Sequence, residues 1–209
     1  MLANHYISAV NKGFAQFLSY LAHPGMVPIA GVALAMLLSP HYISKGVFFT
    51  VMAYVFLGTY FFPLGMSIVL KKLGLIKSLR MEKASERRLP FITAALFYFI
   101  TAQSLRSFPV PIYVAQYLFS GVLILGISLM LLSFTKISIH MAGMGALLAL
   151  ILHISAAYGL QLLLLMSLTI LLAGSLGTAR LVLKAHNSLE IYSGFLLGLV
   201  AVFMSFYFF

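Results

Sequence analysis

The chain has 209 residues, of which 63% are hydrophobic and 8% charged, with a mean hydropathy of +1.10 and a formal net charge of +10. A water-soluble domain carries about a quarter of its residues as charges, so these figures exclude one and point to an integral membrane protein. Cysteine and aspartate are absent, and glutamate occurs only at Glu82, Glu86 and Glu190. This excludes disulfides, thiolate metal sites, a cysteine nucleophile and the aspartate-rich motifs that hold Mg²⁺-bound diphosphates.

Residues 1–22 read as an amphipathic interfacial helix, with Ile7, Val10, Phe14, Phe17 and Leu21 on one side. No basic start followed by a long apolar centre precedes them, which argues against a signal peptide. Residues 23–209 read as one membrane-embedded, all-α domain. Since about 20 apolar residues cross the hydrocarbon, spans are expected at Pro24–Ser39, Val47–Leu70, Phe91–Leu105, Ile112–Phe134, His140–Tyr158, Gln161–Ala179 and Leu189–Phe209. The first and third are short, so the expected bundle has six to seven transmembrane helices. Turns fall at SPHYISKG, RSFPVPIY and YGLQ. Small residues in the later spans (Gly143, Gly145, Ala146, Gly174, Ser175, Gly177) predict close helix packing.

Three polar clusters interrupt this apolar pattern. The first is KKLGLIKSLRMEKASERR, Lys71–Arg88, which holds Arg80, Lys83, Arg87 and Arg88. The second is TKISIH, with Lys136, Ser138 and His140, and the third is ARLVLKAHNSLE, with Arg180, His186 and Glu190. Two expected spans separate each cluster from the next. An even number of crossings returns the chain to the face it left, so all three are expected on one side of the membrane.

The chemistry of each cluster follows from its residue types. Guanidinium groups match phosphate oxygens in a bidentate way and stay charged. A serine and free amides at the start of the span at His140 suit an anion. His186 and Glu190 are one helical turn apart, so the carboxylate can take one imidazole nitrogen and leave the other free for attack or proton transfer. The plainer alternative is a histidine–glutamate pair capping a membrane boundary, with Arg180 snorkelling to headgroups. His5, His23, His41 and His153 read as interfacial histidines, and Tyr113, Tyr117 and Tyr192 as interface anchors in preference to lining the entry of the site.

These motifs resemble those of the type 2 phosphatidic acid phosphatase superfamily, the membrane lipid phosphate phosphatases. That family's pattern is Lys, six residues, Arg-Pro; then Pro-Ser-Gly-His; then Ser-Arg, five residues, His, three residues, Asp. Here the third element is Ala179-Arg180, five residues, His186, three residues, Glu190. The second keeps Ser138-Ile139-His140 without the proline and glycine, and the first is Arg80, six residues, Arg87, or Lys83 with Arg88, ahead of Leu89-Pro90. The resemblance covers residues 80–198 and looks like a divergent bacterial branch.

The resemblance implies His186 as the nucleophile, Glu190 as the group that orients it, and His140 as the acid and base for the leaving group and water. It implies Arg180, Arg87 or Arg88, and Arg80 or Lys83 as the phosphate clamp, assisted by Ser138 and Lys136. It further implies a lipid phosphate or diphosphate as substrate, no cofactor and no metal, and a multi-pass protein of the bacterial inner (plasma) membrane. Membrane lipids are the expected partners. Nucleic acid is not, because no soluble domain accompanies the basic segment. Lys12, Lys71, Lys72 and Lys77 fall on the site's face against Lys45 and Arg106 opposite, so the positive-inside rule puts the site in the cytoplasm. The alternative expectation is a lipid-phosphate-binding or transport protein without turnover; a small-solute channel lacks the polar stripe it would need.

Overall fold

The computed structural model describes residues 11–79, 81 and 83–209. These form eight helices, with no strand among the described residues. They are α1 (Lys12–Leu21), α2 (Val27–Leu37), α3 (Lys45–Lys72, broken by a π-helical turn at Leu57–Phe61), α4 (Ala84–Leu105), α5 (Ile112–Leu131), α6 (Ile139–Tyr158), α7 (Leu163–Val182) and α8 (Ser188–Phe208). Five of them, α3 and α5 to α8, are long and apolar enough to cross a membrane. At 1.5 Å per residue, the 11 residues of α2 reach only about half of a ~30 Å hydrocarbon layer.

Local signals set the helix ends. The Ser44 hydroxyl accepts from Val47 N–H at 3.3 Å at the start of α3, and Gly159 closes α6 in the left-handed conformation (φ 63°) with its N–H on Ser155 O, the usual αL stop. α8 opens with a reciprocal capping box: Asn187 Oδ1 accepts from Glu190 N–H at 2.9 Å, and Glu190 Oε2 accepts from Asn187 N–H at 3.3 Å. The helix expected from Phe91 begins at Ala84, because α4 runs through Pro90 without breaking, and it is not among the five helices long and apolar enough to cross a membrane. Pro90 is the seventh residue of α4, so the helical bond it lacks is the one to Glu86 O, and Arg87 and Arg88 are helical.

α8 packs most extensively against α6, and α5 against α4. The α6/α8 contact explains several of the small residues. A Cβ at Gly145 would collide with Phe195 O, and one at Gly198 with Ala142 O, so two backbones touch where lipid-facing helices would otherwise be spaced by side chains. Gly174 faces open space and Ser175 is exposed, so these two do not serve packing. On the outer surface Leu163, Leu164, Ile170 and Leu171 of α7 are more than half exposed, a band of large apolar side chains that only lipid would cover. The chain is a membrane-embedded helical bundle.

α1 lies against α7, with Ala15, Leu18 and Ser19 turned inward and Phe14, Phe17, Tyr20 and Leu21 turned outward at 59–72% exposure. Ile7 and Val10, expected on the same stripe, lie outside the described residues.

Candidate active site

Four of the expected residues meet at one cavity of about 330 Å³. Arg87 comes from the first turn of α4, His140 from the start of α6, Arg180 from the last turn of α7 and His186 from the α7–α8 link. The cavity continues away from this polar end between α3, α4, α5 and α6, past Leu64, Phe91, Tyr98, Tyr117 and Ile124. A mostly apolar cavity with a few convergent polar groups at one end is the usual make-up of a small-molecule site.

The α7–α8 link is built to present His186. After Arg180 the chain stops its helix with Lys184 in the left-handed region (φ 51°). Lys184 N–H bonds Leu181 O at 2.9 Å and Ala185 N–H bonds Arg180 O at 3.1 Å. A non-glycine residue there costs about 1–2 kcal/mol, and the capping box that follows offsets it by a comparable amount. His186 Nδ1 then lies 2.9 Å from Glu190 Oε2, both side chains being buried. Because the carboxylate only accepts, Nδ1 carries the proton and Nε2 is left as the free ring nitrogen. Burial lowers the His186 pKa from its ordinary 6.5, the bond from Glu190 opposes that, and the nearby Arg180 and Arg87 charges add to it. The imidazole is therefore neutral at pH 7, the form that can attack phosphorus.

The main chain ties the second cluster to the same place, since Ser138 N–H donates to Glu190 O at 3.1 Å and fixes the start of α6 to the first turn of α8. His140 Nε2 lies 3.3 Å from Ser19 O in α1. That carbonyl can only accept, so Nε2 holds the proton and Nδ1 is the free nitrogen. Arg180 Nη1 donates to Ser19 Oγ at 3.4 Å, while its buried Nε has no partner among the described residues. A buried guanidinium N–H without an acceptor is costly unless a ligand supplies one.

Other expected residues do not reach the cavity. Ser138 is fully buried with its Oγ unpartnered among the described residues, and it does not line the cavity. Gly194 of α8 lies directly over its main chain, so this serine fixes helix position instead of holding phosphate. Arg88 is exposed and outside the lining, because on one helix it points away from Arg87. Lys83 and Lys136 border a second, open hollow that Glu190 also lines. Arg80 lies outside the described residues.

Two readings need correction. His23, set aside as interfacial, lines the cavity, with its ring 6.1 Å from that of His140 in an edge-on arrangement and its Nδ1 accepting Gly25 N–H at 3.1 Å. Tyr113 and Tyr117 are not interface anchors. Tyr113 is buried and donates to Ala35 O at 3.0 Å, and Tyr117 is 4% exposed and lines the cavity. Tyr192, 74% exposed, keeps the position an anchor would have. Ser19 and His23 were missed because a tertiary contact of α1 with α7 brings them in; the HPG turn at His23 was the one local hint. Among the described residues no three His, Cys, Asp or Glu side chains converge as metal ligands. The chain matches no family model, no curated protein and no solved structure.

Proposed function

We propose that this protein dephosphorylates a lipid phosphate or diphosphate at the membrane surface, without a metal, through a phosphohistidine intermediate. The observation that carries the reading is the His186–Glu190 pair, with His186 lining a cavity that Arg87, Arg180 and His140 also line. Arg87 and Arg180 bind the phosphate oxygens. His186 Nε2 attacks phosphorus, forming the N–P bond as the ester P–O bond breaks, and the leaving oxygen takes its proton from water, because His140, with its proton on Nε2 against Ser19 O, has none on Nδ1 to give. Neutral His140 then takes a proton from water, whose oxygen displaces His186 and releases inorganic phosphate. Phosphoryl transfer asks mainly for positioning and for positive charge around the equatorial oxygens, which the two arginines supply.

The lipid's apolar part stays in the bilayer or in the apolar end of the cavity, so the phosphate meets the arginines at headgroup depth. The site's face is cytoplasmic on the distribution of its non-catalytic lysines, in a bundle of six or seven spans within a bacterial plasma membrane. The test is phosphate release by the purified protein in EDTA from phosphatidate, phosphatidylglycerophosphate, a polyprenyl diphosphate and lipid A. Release from at least one is expected; binding with no release from any would replace the reading with a lipid-phosphate carrier.

A further inference from the structure

One residue outside every motif touches both halves of the site. Ser19, in the last turn of α1, accepts from His140 Nε2 with its carbonyl (3.3 Å) and from Arg180 Nη1 with its hydroxyl (3.4 Å). Its side chain is 8% exposed, and the helix bearing it is held to α7 by Ala15 and Leu18, which are 0% and 7% exposed. The contacts are 121 and 161 residues apart in sequence, so no property of α6 or α7 alone would create them. The opposite side of α1 presents Phe14, Phe17, Tyr20 and Leu21, a stripe that suits the acyl–headgroup boundary.

We propose that Ser19 is a positioning residue for the reaction and that α1 is the element through which the bilayer surface sets the geometry of the site. The carbonyl fixes the His140 proton on Nε2 and leaves Nδ1 as the base that takes a proton from water. The hydroxyl holds one end of the Arg180 fork through Nη1 and so fixes how the guanidinium lines the cavity. With Phe14 and Phe17 embedded, α1 rests at headgroup depth, and the bilayer surface adds to the hold that Ala15 and Leu18 already give it on α7. This rests on the phosphatase reading for its catalytic consequence, but the contact with Arg180 bears on anion binding whether or not turnover occurs.

The test uses the full chain in lipid nanodiscs. Ser19→Ala removes the hydroxyl and keeps the carbonyl, so KM for the lipid phosphate and the Kd for inorganic phosphate are expected to rise about threefold to tenfold with kcat nearly unchanged, the size of one charge-assisted hydrogen bond. Ser19→Thr, which restores a hydroxyl, is expected to recover most of both. Leu18→Asp, which lifts α1 from α7, is expected to lower kcat at least tenfold as His140 loses its carbonyl, while the variant still elutes as a single folded species. Phe14→Ser/Phe17→Ser alters only lipid-facing residues, cannot disturb the core, and is expected to lower kcat in the same direction. Unchanged phosphate affinity in Ser19→Ala, or full kcat in both the Leu18 and the Phe14/Phe17 variants, would overturn the proposal. If the wild type releases no phosphate at all, the phosphatase reading fails separately, and Ser19→Ala against Ser19→Thr still decides the clamp through inorganic phosphate binding.

Discussion

His186 and Glu190, one turn apart at the entry to α8, share a buried hydrogen bond of 2.9 Å, and the same carboxylate closes the helix's capping box on Asn187 N–H. One side chain therefore both starts a membrane helix and orients an imidazole.

These two roles separate by mutation. Glu190→Gln keeps an acceptor for His186 Nδ1 and for Asn187 N–H but removes the charge that stabilises the developing imidazolium, so kcat is expected to fall about 10²-fold or more while the melting temperature changes little. Glu190→Ala removes both contacts and is expected to lose stability as well, by about 1–2 kcal/mol for the cap. Comparing kcat and thermal unfolding of the two variants in one detergent checks this; equal activity in Glu190→Gln and wild type would remove the charge from the mechanism.

The arginines are expected to act on binding more than on the fold. Arg180→Lys retains the charge but not the fork, so KM should rise about tenfold or more, since a bidentate partner is replaced by a point charge. Arg88→Ala, exposed and outside the cavity, should leave KM within about twofold of wild type. A larger effect at Arg88 than at Arg87 would contradict the placement of the first cluster.

The pH dependence follows from His186. Its pKa lies below 6.5, chiefly through burial, so the neutral imidazole persists below pH 6.5 and its titration by NMR is expected to show a midpoint under that value. The folded state binds fewer protons than the unfolded chain between the two pKa values. This group's contribution to stability is accordingly full above pH 6.5 and falls away as pH drops through the window down to the folded pKa. A midpoint above 6.5 would mean that Glu190 outweighs burial.

Gly194 and Gly198 give a packing prediction. Gly198→Ala would drive a Cβ into Ala142 O, and Gly194→Ala into Ser138 O, both fixed backbone atoms, so each is expected to cost about 1–3 kcal/mol, read as lowered thermal stability. Gly174→Ala, with open space around it inside α7, is the control expected to keep or slightly raise thermal stability.

The residues show which parts of this arrangement were legible in sequence. The spacing of His186 and Glu190 is a helical turn whatever surrounds it, and the apolar runs separating the clusters mark helices by length alone. Which of two adjacent arginines faces the cavity was not legible, because that depends on where α4 begins, and Pro90 suggested a boundary that the helix ignores. Ser138 looked like an anion ligand because its neighbour His140 belongs to the site, yet the glycine that buries it lies 56 residues later. His23 and Ser19 carry no motif; the docking of α1 on α7 places them at the site.

The most direct measurement is covalent. Wild-type protein mixed with a ³²P-labelled lipid phosphate and quenched in alkali, where phosphohistidine survives, is expected to carry label on the peptide containing His186, and His186→Ala to carry none while keeping its fold. Label on another residue, or full phosphate release by His186→Ala, would contradict the account.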